Sequence, residues 1–280
     1  VTVHRLPSFR WYPHDWLRFV LPWRSKHWAR KVLDEVNPDV VHIQSHIVIG
    51  RGLSRVAHKR GIPIVATNHV MTENILDFTT LPPLLDKLFV KVAWADAKRT
   101  FDMTRAVTTP TRKAADFLEA TIDIHDVLPV SCGIDRTQYT PVIGPREKNR
   151  IVFVGRLTAE KQVEVILKAM TKLDPALNTT FDIVGGGDQR RNLEQLTEQL
   201  GIADRVRFHG HTSEEELRQL YSRASVFAIA SIAELQSIAT MEAMASGLPV
   251  VAADAVALAM LATNVRTEAA AGRSEEHTSA

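Results

Sequence analysis

From Asp39 to Ala252 the chain alternates short apolar runs with amphipathic stretches, a pattern that predicts strands joined by helices. "DVVHI" (39–43) reads as a buried strand, "GRGLSRVAHKRG" (50–61) as a helix closed by Gly61, and "IPIVAT" (62–67) as the next strand. A helix is predicted over about 82–104, with apolar residues at Leu84, Leu85, Leu88, Phe89, Val92 and Ala93. "RAVTTP" (105–110) is a strand, and Thr111 is expected to cap a helix running through about Ala120. "VLPVSCGID" (127–135) is a strand leading into a turn. The polar connector "RTQYTPVIGPREKN" (136–149), with two prolines and a glycine, interrupts the series. After it come strands at 150–154, 181–184, 205–208, 225–229 and 249–252, separated by helices at about 160–172, 188–200, 213–222 and 238–246. The fold class expected is α/β. It comprises two Rossmann-like, doubly wound parallel-sheet domains, 1–140 and 141–270, facing across a cleft. Ligands then sit beyond the carboxyl ends of the strands.

Composition narrows the function without naming it. The 34 basic and 32 acidic residues leave a formal charge of +2, too balanced to indicate nucleic-acid binding. A single cysteine, Cys132, excludes an internal disulfide and a cysteine-based metal cluster, and fits a reducing, cytoplasmic setting. No apolar run approaches the ~20 residues that span a bilayer. The first thirty residues hold four of the five tryptophans, interleaved with Arg, Lys and His. That mixture suits peripheral contact with an anionic membrane, at its inner face, and a lipid or lipid-linked acceptor. The alternative is a proline-broken loop and a helix (about 25–36) that pack the rings into the first domain. Pro7, Pro13 and Pro22 prevent one continuous amphipathic helix. Val1 in place of methionine, and the polar stretch over 271–280, lead us to expect a fragment with a non-native tail.

The second half carries the candidate chemistry. In "ELQSIATMEAMASGLPVV" (234–251), Ser237 is an expected N-cap and Gly247 with Pro249 a stop, which leaves Glu234 outside a helix and Glu242 inside it. The amides of Gln236, Ser237 and Ile238 then form an anion site at the helix N-terminus. Upstream, Gly155 permits a tight turn at the end of a strand, and Arg156 and Lys161 project from the same end. Two fixed cations and exposed amides could hold a diphosphate without a metal, while the glutamates meet hydroxyls. Taken singly, each of these residues could equally be a solvated surface charge.

Together with "VGRL…EK", "IVGGGDQRRNLEQL" and "RVRFHGHTSEEELRQLYSRASVF", the E-x7-E run resembles the retaining GT-B glycosyltransferases of family 4. "PDVVHIQSH", "GIPIVATNHVMTEN", "RAVTTPTRKAADFL" and "VSCGID" continue the resemblance upstream, over about 35–258. It implies transfer of a hexosyl group from a UDP- or GDP-sugar to a lipid, lipid-linked or glycan acceptor, with retention and without metal or cofactor. Arg156 and Lys161 would bind the donor diphosphate with the amides around Gln236 to Ile238. Glu234 would contact the transferred sugar and Glu242 the ribose. His69 would face the sugar from the first domain, and Gly133 would lie in a turn lining the cleft. Leu235-Gln236-Ser237 and Cys132 depart from the residues usual in the family, which leaves the donor sugar open. The missing opening strand and closing helices expected of the fragment favour weak nucleotide binding and poor turnover. An inactive nucleotide-binding fragment and a sugar-nucleotide epimerase of similar fold are the competing readings. "VGGGDQRR" fails the dinucleotide fingerprint, because Arg190 replaces its last glycine. His42, His46, His58, His209 and His211 lack metal-ligand spacing.

Overall fold

A computed structural model describes residues 2–11, 14–70, 83–139, 146–232 and 234–253. The chain divides into two compact units, Val1–Ser131 and Cys132–Ala280. The division falls ahead of the boundary expected at 140, because 132–139 pack on the second unit. There the Cys132 N–H donates to Gln236 Oε1 at 2.8 Å, and the Tyr139 ring meets Tyr221 edge-on at 6.2 Å. The tail expected over 271–280 lies outside the described residues.

The first unit opens with an antiparallel pair, β1 (Phe9–Trp11) and β2 (His14–Phe19), where the sequence suggested a loop. Pro7 and Pro22 lie outside both strands, and Arg18 clasps the pair by donating to Ser8 O at 2.8 Å. Next come α1 (Ser25–Val36), β3 (Val41–Ile43), α2 (Ile49–Lys59), β4 (Ile64–Thr67) and α3 (Pro83–Phe101). β5 (Ala106–Thr109), α4 (Arg112–Ile122) and β6 (Leu128–Pro129) complete the unit. Thr111 caps α4 as expected, accepting from the Ala114 N–H at 3.3 Å. The four strands β3-β4-β5-β6 are parallel and lie in that order. β6 is shorter than the strand read over 127–135, since Pro129 has no N–H to donate and Gly133 turns away at φ +69°. Leu33, Ala57, Ile64, Trp94, Phe101 and Leu118 build the core between sheet and helices. α1 and α2 cross closely at Gly52, where a Cβ would come within 2.9 Å of Ser25. Of the tryptophans in the first thirty residues whose side chains are described, Trp23 is 76% exposed and Trp28 is partly buried.

His46 is buried in this unit, edge-on to Phe101 at 5.4 Å, and its Nδ1 finds no partner among the described residues. Burial lowers its pKa from 6.5 to about 4; Asp96 opposes the shift and Arg51 adds to it. The native state therefore resists a proton that the unfolded chain accepts. Stability should be complete above about pH 6.5 and fall toward pH 4, by up to roughly 3 kcal/mol. Urea midpoints at pH 7 and pH 5 should differ, and His46→Leu should remove most of that difference. An unchanged pH slope in the variant would reject the assignment.

The second unit contains β7 (Arg150–Val154), α5 (Val163–Met170), β8 (Thr180–Val184), α6 (Arg190–Gln199) and β9 (Val206–Gly210). α7 (Glu214–Arg223), β10 (Val226–Ile229), α8 (Ile238–Ala245) and β11 (Val250–Ala252) follow. All five strands are parallel, in the order β11-β10-β7-β8-β9. The unit's first strand, β7, thus lies in the middle, and the winding reverses between β7 and β10. That reversal opens a crevice beyond the strands' carboxyl ends. Phe153, Phe181, Ile183, Phe227, Leu167 and Met170 fill the core. Inside the sheet, Asp182 accepts from Arg150 Nε at 2.5 Å and pairs with His209 Nε2 at 2.6 Å. Among the described residues no helix is long and apolar enough to cross a membrane.

Candidate functional site

The crevice between β7 and β10 is built by three loops held to one another through backbone. After β7, the Gly155 N–H donates to Val184 O at 3.0 Å and the Leu157 N–H to Gly186 O at 2.9 Å. The glycine run after β8 thereby lies flat against the loop after β7. Gly185, at φ +125°, has no room for a Cβ, which would fall 2.0 Å from Gly155 O. At Gly187 a Cβ would fall 2.3 Å from Leu157 O. The glycines that imitate a dinucleotide fingerprint serve instead to bring two loops into contact.

The loop after β7 is tied equally firmly to the loop after β10. Glu160 O accepts from the Ile232 N–H at 3.0 Å and from Ser231 Oγ at 3.2 Å, while Thr158 Oγ1 donates to the Glu160 carboxylate at 2.6 Å. Lys161 lies in the 3₁₀ turn Ala159–Lys161, ahead of α5, where the sequence placed it at the start of the helix. Gln162 adopts a left-handed φ of 46°, which separates that turn from the helix. From there the Lys161 ammonium forms an ion pair with the Glu234 carboxylate. Both side chains are largely buried, at 13% and 12% exposure, so the pair is shielded from solvent screening. A cation from one side of the switch point and a carboxylate from the other therefore meet in the crevice. Arg156 is exposed on the Gly155 loop.

α8 starts as the sequence requires. Ser237 Oγ accepts from the Thr240 N–H at 3.3 Å, and Gly247 ends the helix at φ +76°. Gln236 joins this N-terminus to the segment containing Gly133, through its Oε1 on the Cys132 N–H. Ile238 is the first residue of the helix. Glu242, inside the helix, accepts a hydrogen bond from the Tyr221 hydroxyl at 3.1 Å; burial, and then the Glu242 carboxylate, raise the pKa of the neighbouring Tyr139. Neither tyrosine carried a sequence signal, because Tyr221 sits in a helix where an aromatic residue reads as core and Tyr139 in a polar connector. His69 lies in the first unit at the carboxyl end of β4, with Nε2 2.7 Å from Gln44 Oε1. Burial, then His42, lowers its pKa, so His69 is neutral at physiological pH. Gly133, Gly155, Arg156, Lys161, Glu234, Gln236, Ser237, Ile238 and Glu242 thus lie in the second unit and His69 in the first, and of the charged ones the structure brings Lys161 and Glu234 into contact.

Two family models together cover residues 1–266. The one described as Glycosyltransferase Family 4 matches residues 1–138, and the one described as Glycosyl transferases group 1 matches residues 135–266. The chain belongs to the group 1 glycosyltransferases. The chain is 30% identical over 230 residues to the MMP alpha-(1->4)-mannosyltransferase of Mycolicibacterium hassiacum, covering 79% of this chain and 54% of the relative. It is 28% identical over 243 residues to a sulfoquinovosyl transferase of Arabidopsis thaliana, covering 80% and 45%. The chain thus spans about half the length of these curated relatives. Among solved structures, the sucrose-phosphate synthase of Thermosynechococcus elongatus matches at TM-score 0.70 and 20% identity, covering 82% of this chain and 59% of that one. HepE of Anabaena, solved with UDP-glucose, matches at TM-score 0.66 and 20% identity, covering 81% and 63%. The fold is the α/β, Rossmann-like, doubly wound type of the GT-B glycosyltransferases.

Proposed function

We propose that this group 1 glycosyltransferase takes a hexosyl group from a nucleoside-diphosphate sugar, of uridine or guanosine, and transfers it with retention of anomeric configuration. The observation that carries this reading is the Lys161–Glu234 pair, set across the switch point beside the N-terminus of α8. Arg156, Lys161 and the amides of Gln236, Ser237 and Ile238 take the diphosphate, stabilising negative charge as the nucleotide departs. In this role the two cations neutralise the diphosphate without a metal ion. Glu234 orients the transferred sugar, whose ring gains positive, oxocarbenium-like character as the bond breaks. Glu242 receives the ribose hydroxyls, and His69 acts on the sugar. HepE was solved with UDP-glucose, and a pneumococcal relative of the same fold with UDP and GlcNAc. Both support a nucleotide-sugar donor. Membership of group 1 weighs against an epimerase.

The test is a thermal-shift panel of UDP, GDP and their sugars. A ligand that binds the folded state alone stabilises it, by about 2.7 kcal/mol at a hundredfold excess over Kd. A melting temperature raised by one nucleotide family, and untouched by NAD, is the expected result. Stabilisation by NAD alone would overturn the reading. For the acceptor we propose a lipid, lipid-linked or glycan hydroxyl, reached at the inner face of an anionic membrane through the Trp- and Arg-rich first residues. The exposed Trp23, beside Arg24, supports that contact. Co-sedimentation with phosphatidylglycerol vesicles should be lost in Trp23→Ala, and equal sedimentation of both proteins would reject it.

A further inference from the structure

Glu242 is held more firmly than a surface glutamate. The Tyr221 hydroxyl lies 3.1 Å from its Oε2 and 3.2 Å from Ala239 O, and the Tyr139 ring packs edge-on against Tyr221, near enough to the same carboxylate for its charge to act on the phenol. The two phenols come from separate elements. Tyr221 is fully buried on α7, backed by Phe227 at 6.2 Å between ring centroids. Tyr139 ends the segment 132–139 and meets Tyr221 edge-on. The same segment touches the loop before α8, through the Cys132 N–H on Gln236 Oε1. A short strap thus holds both the loop that enters α8 and the carboxylate within it.

An ionised carboxylate has about four lone-pair sites and donates nothing. A buried phenol on Oε2, backed by a second tyrosine, fixes its rotation and leaves the remaining sites in a set direction. We propose that Tyr139 and Tyr221 are positioning residues that aim the Glu242 carboxylate at the vicinal diol of a ribose, so that the site selects ribonucleotides over 2′-deoxyribonucleotides. The proposal rests on the reading that Glu242 meets the ribose. Both phenols stay protonated donors at any working pH. Burial first, and then the Glu242 carboxylate, pushes Tyr139 up to about 12 and raises Tyr221 as well. A diol engages a fixed carboxylate with two hydrogen bonds, whereas a 2′-deoxy sugar leaves one acceptor site unmet.

Isothermal titration with UDP, GDP, dUDP and dGDP tests this on the whole chain. The ribonucleotide that binds should exceed its deoxy counterpart by about tenfold, the worth of one hydrogen bond to a charged group. Tyr139→Phe should weaken the ribonucleotide by a similar factor and leave the deoxynucleotide nearly unchanged, so that the ratio falls toward one. Tyr139 is only half-buried, so this variant should melt close to the parent; Tyr221→Phe serves as the second variant. Equal weakening of both nucleotides by Tyr139→Phe would reduce the tyrosine to a structural role and overturn the proposal. A ratio unchanged in Tyr139→Phe but abolished in Glu242→Ala would overturn it while sparing the ribose reading. A ratio that survives Glu242→Ala, or no binding of either ribonucleotide at millimolar concentration, would sink the ribose reading and the proposal together.

Discussion

Gly185→Ala should destabilise the second unit by on the order of 4 kcal/mol, which places it among the most damaging single substitutions in a domain of this size. Two effects combine. The backbone at φ +125° lies where residues with a side chain seldom go, a strain of about 1–3 kcal/mol. The added Cβ would also lie 2.0 Å from Gly155 O, a backbone atom that cannot swing aside. Relief requires the loop after β7 to leave the loop after β8, breaking the bonds from Gly155 to Val184 and from Leu157 to Gly186. Gly201→Ala is the control. It shares a positive φ, of 65°, but a Cβ there meets nothing within 4 Å, so the cost is only the left-handed penalty of about 1–2 kcal/mol. Urea denaturation of the two variants should separate these contributions. Similar losses at both positions would mean that the loops are not in the contact described. Because Arg156 and Lys161 follow directly from the Gly155 loop, the same variant should lose its nucleotide response before it unfolds.

The double variant Arg156→Ala, Lys161→Ala should abolish nucleotide stabilisation, weakening Kd at least about a hundredfold. Charge-assisted hydrogen bonds to phosphate are each worth about 1.5–3 kcal/mol when removed, so two of them account for the loss. The ligand-free protein should still fold. The measurable complication is Glu234, which Lys161→Ala leaves as a largely buried carboxylate without its partner. Lys161→Ala, Glu234→Ala and their combination resolve it. The combined variant should melt higher than Lys161→Ala, because the stranded charge is gone, yet respond no better to nucleotide. Full nucleotide response in Arg156→Ala, Lys161→Ala would refute the diphosphate assignment outright.

Much of this site was legible before any coordinates. The strand-helix alternation located β7 to β11 to within a residue or two, since parallel strands buried on both faces leave unbroken apolar runs. Ser237 and Gly247 marked the ends of α8 by capping chemistry that is local to the chain. Sequence reasoning failed where the deciding contact was distant or the backbone unusual. The turn at Lys161 depends on a left-handed Gln162, a conformation for which glutamine gives no signal. The hairpin of β1 and β2 lay in a stretch whose prolines pointed to a loop, although the strands simply run between them. The boundary at Ser131 moved because Cys132 and Tyr139 find partners on α7, on α8 and in the loop before α8, far along the chain.

By itself the sequence determined the elements from Asp39 onward, their order, the family and the set of charged residues at strand ends, because periodicity, caps and glycine turns act over a few residues. Tertiary structure alone decided which residues meet: Lys161 with Glu234, Tyr221 with Glu242 and with Tyr139, and the loop of Gly185 with that of Gly155. Those pairings depend on the lateral order of the strands, which brings β10 beside β7 and is fixed only when the whole core packs.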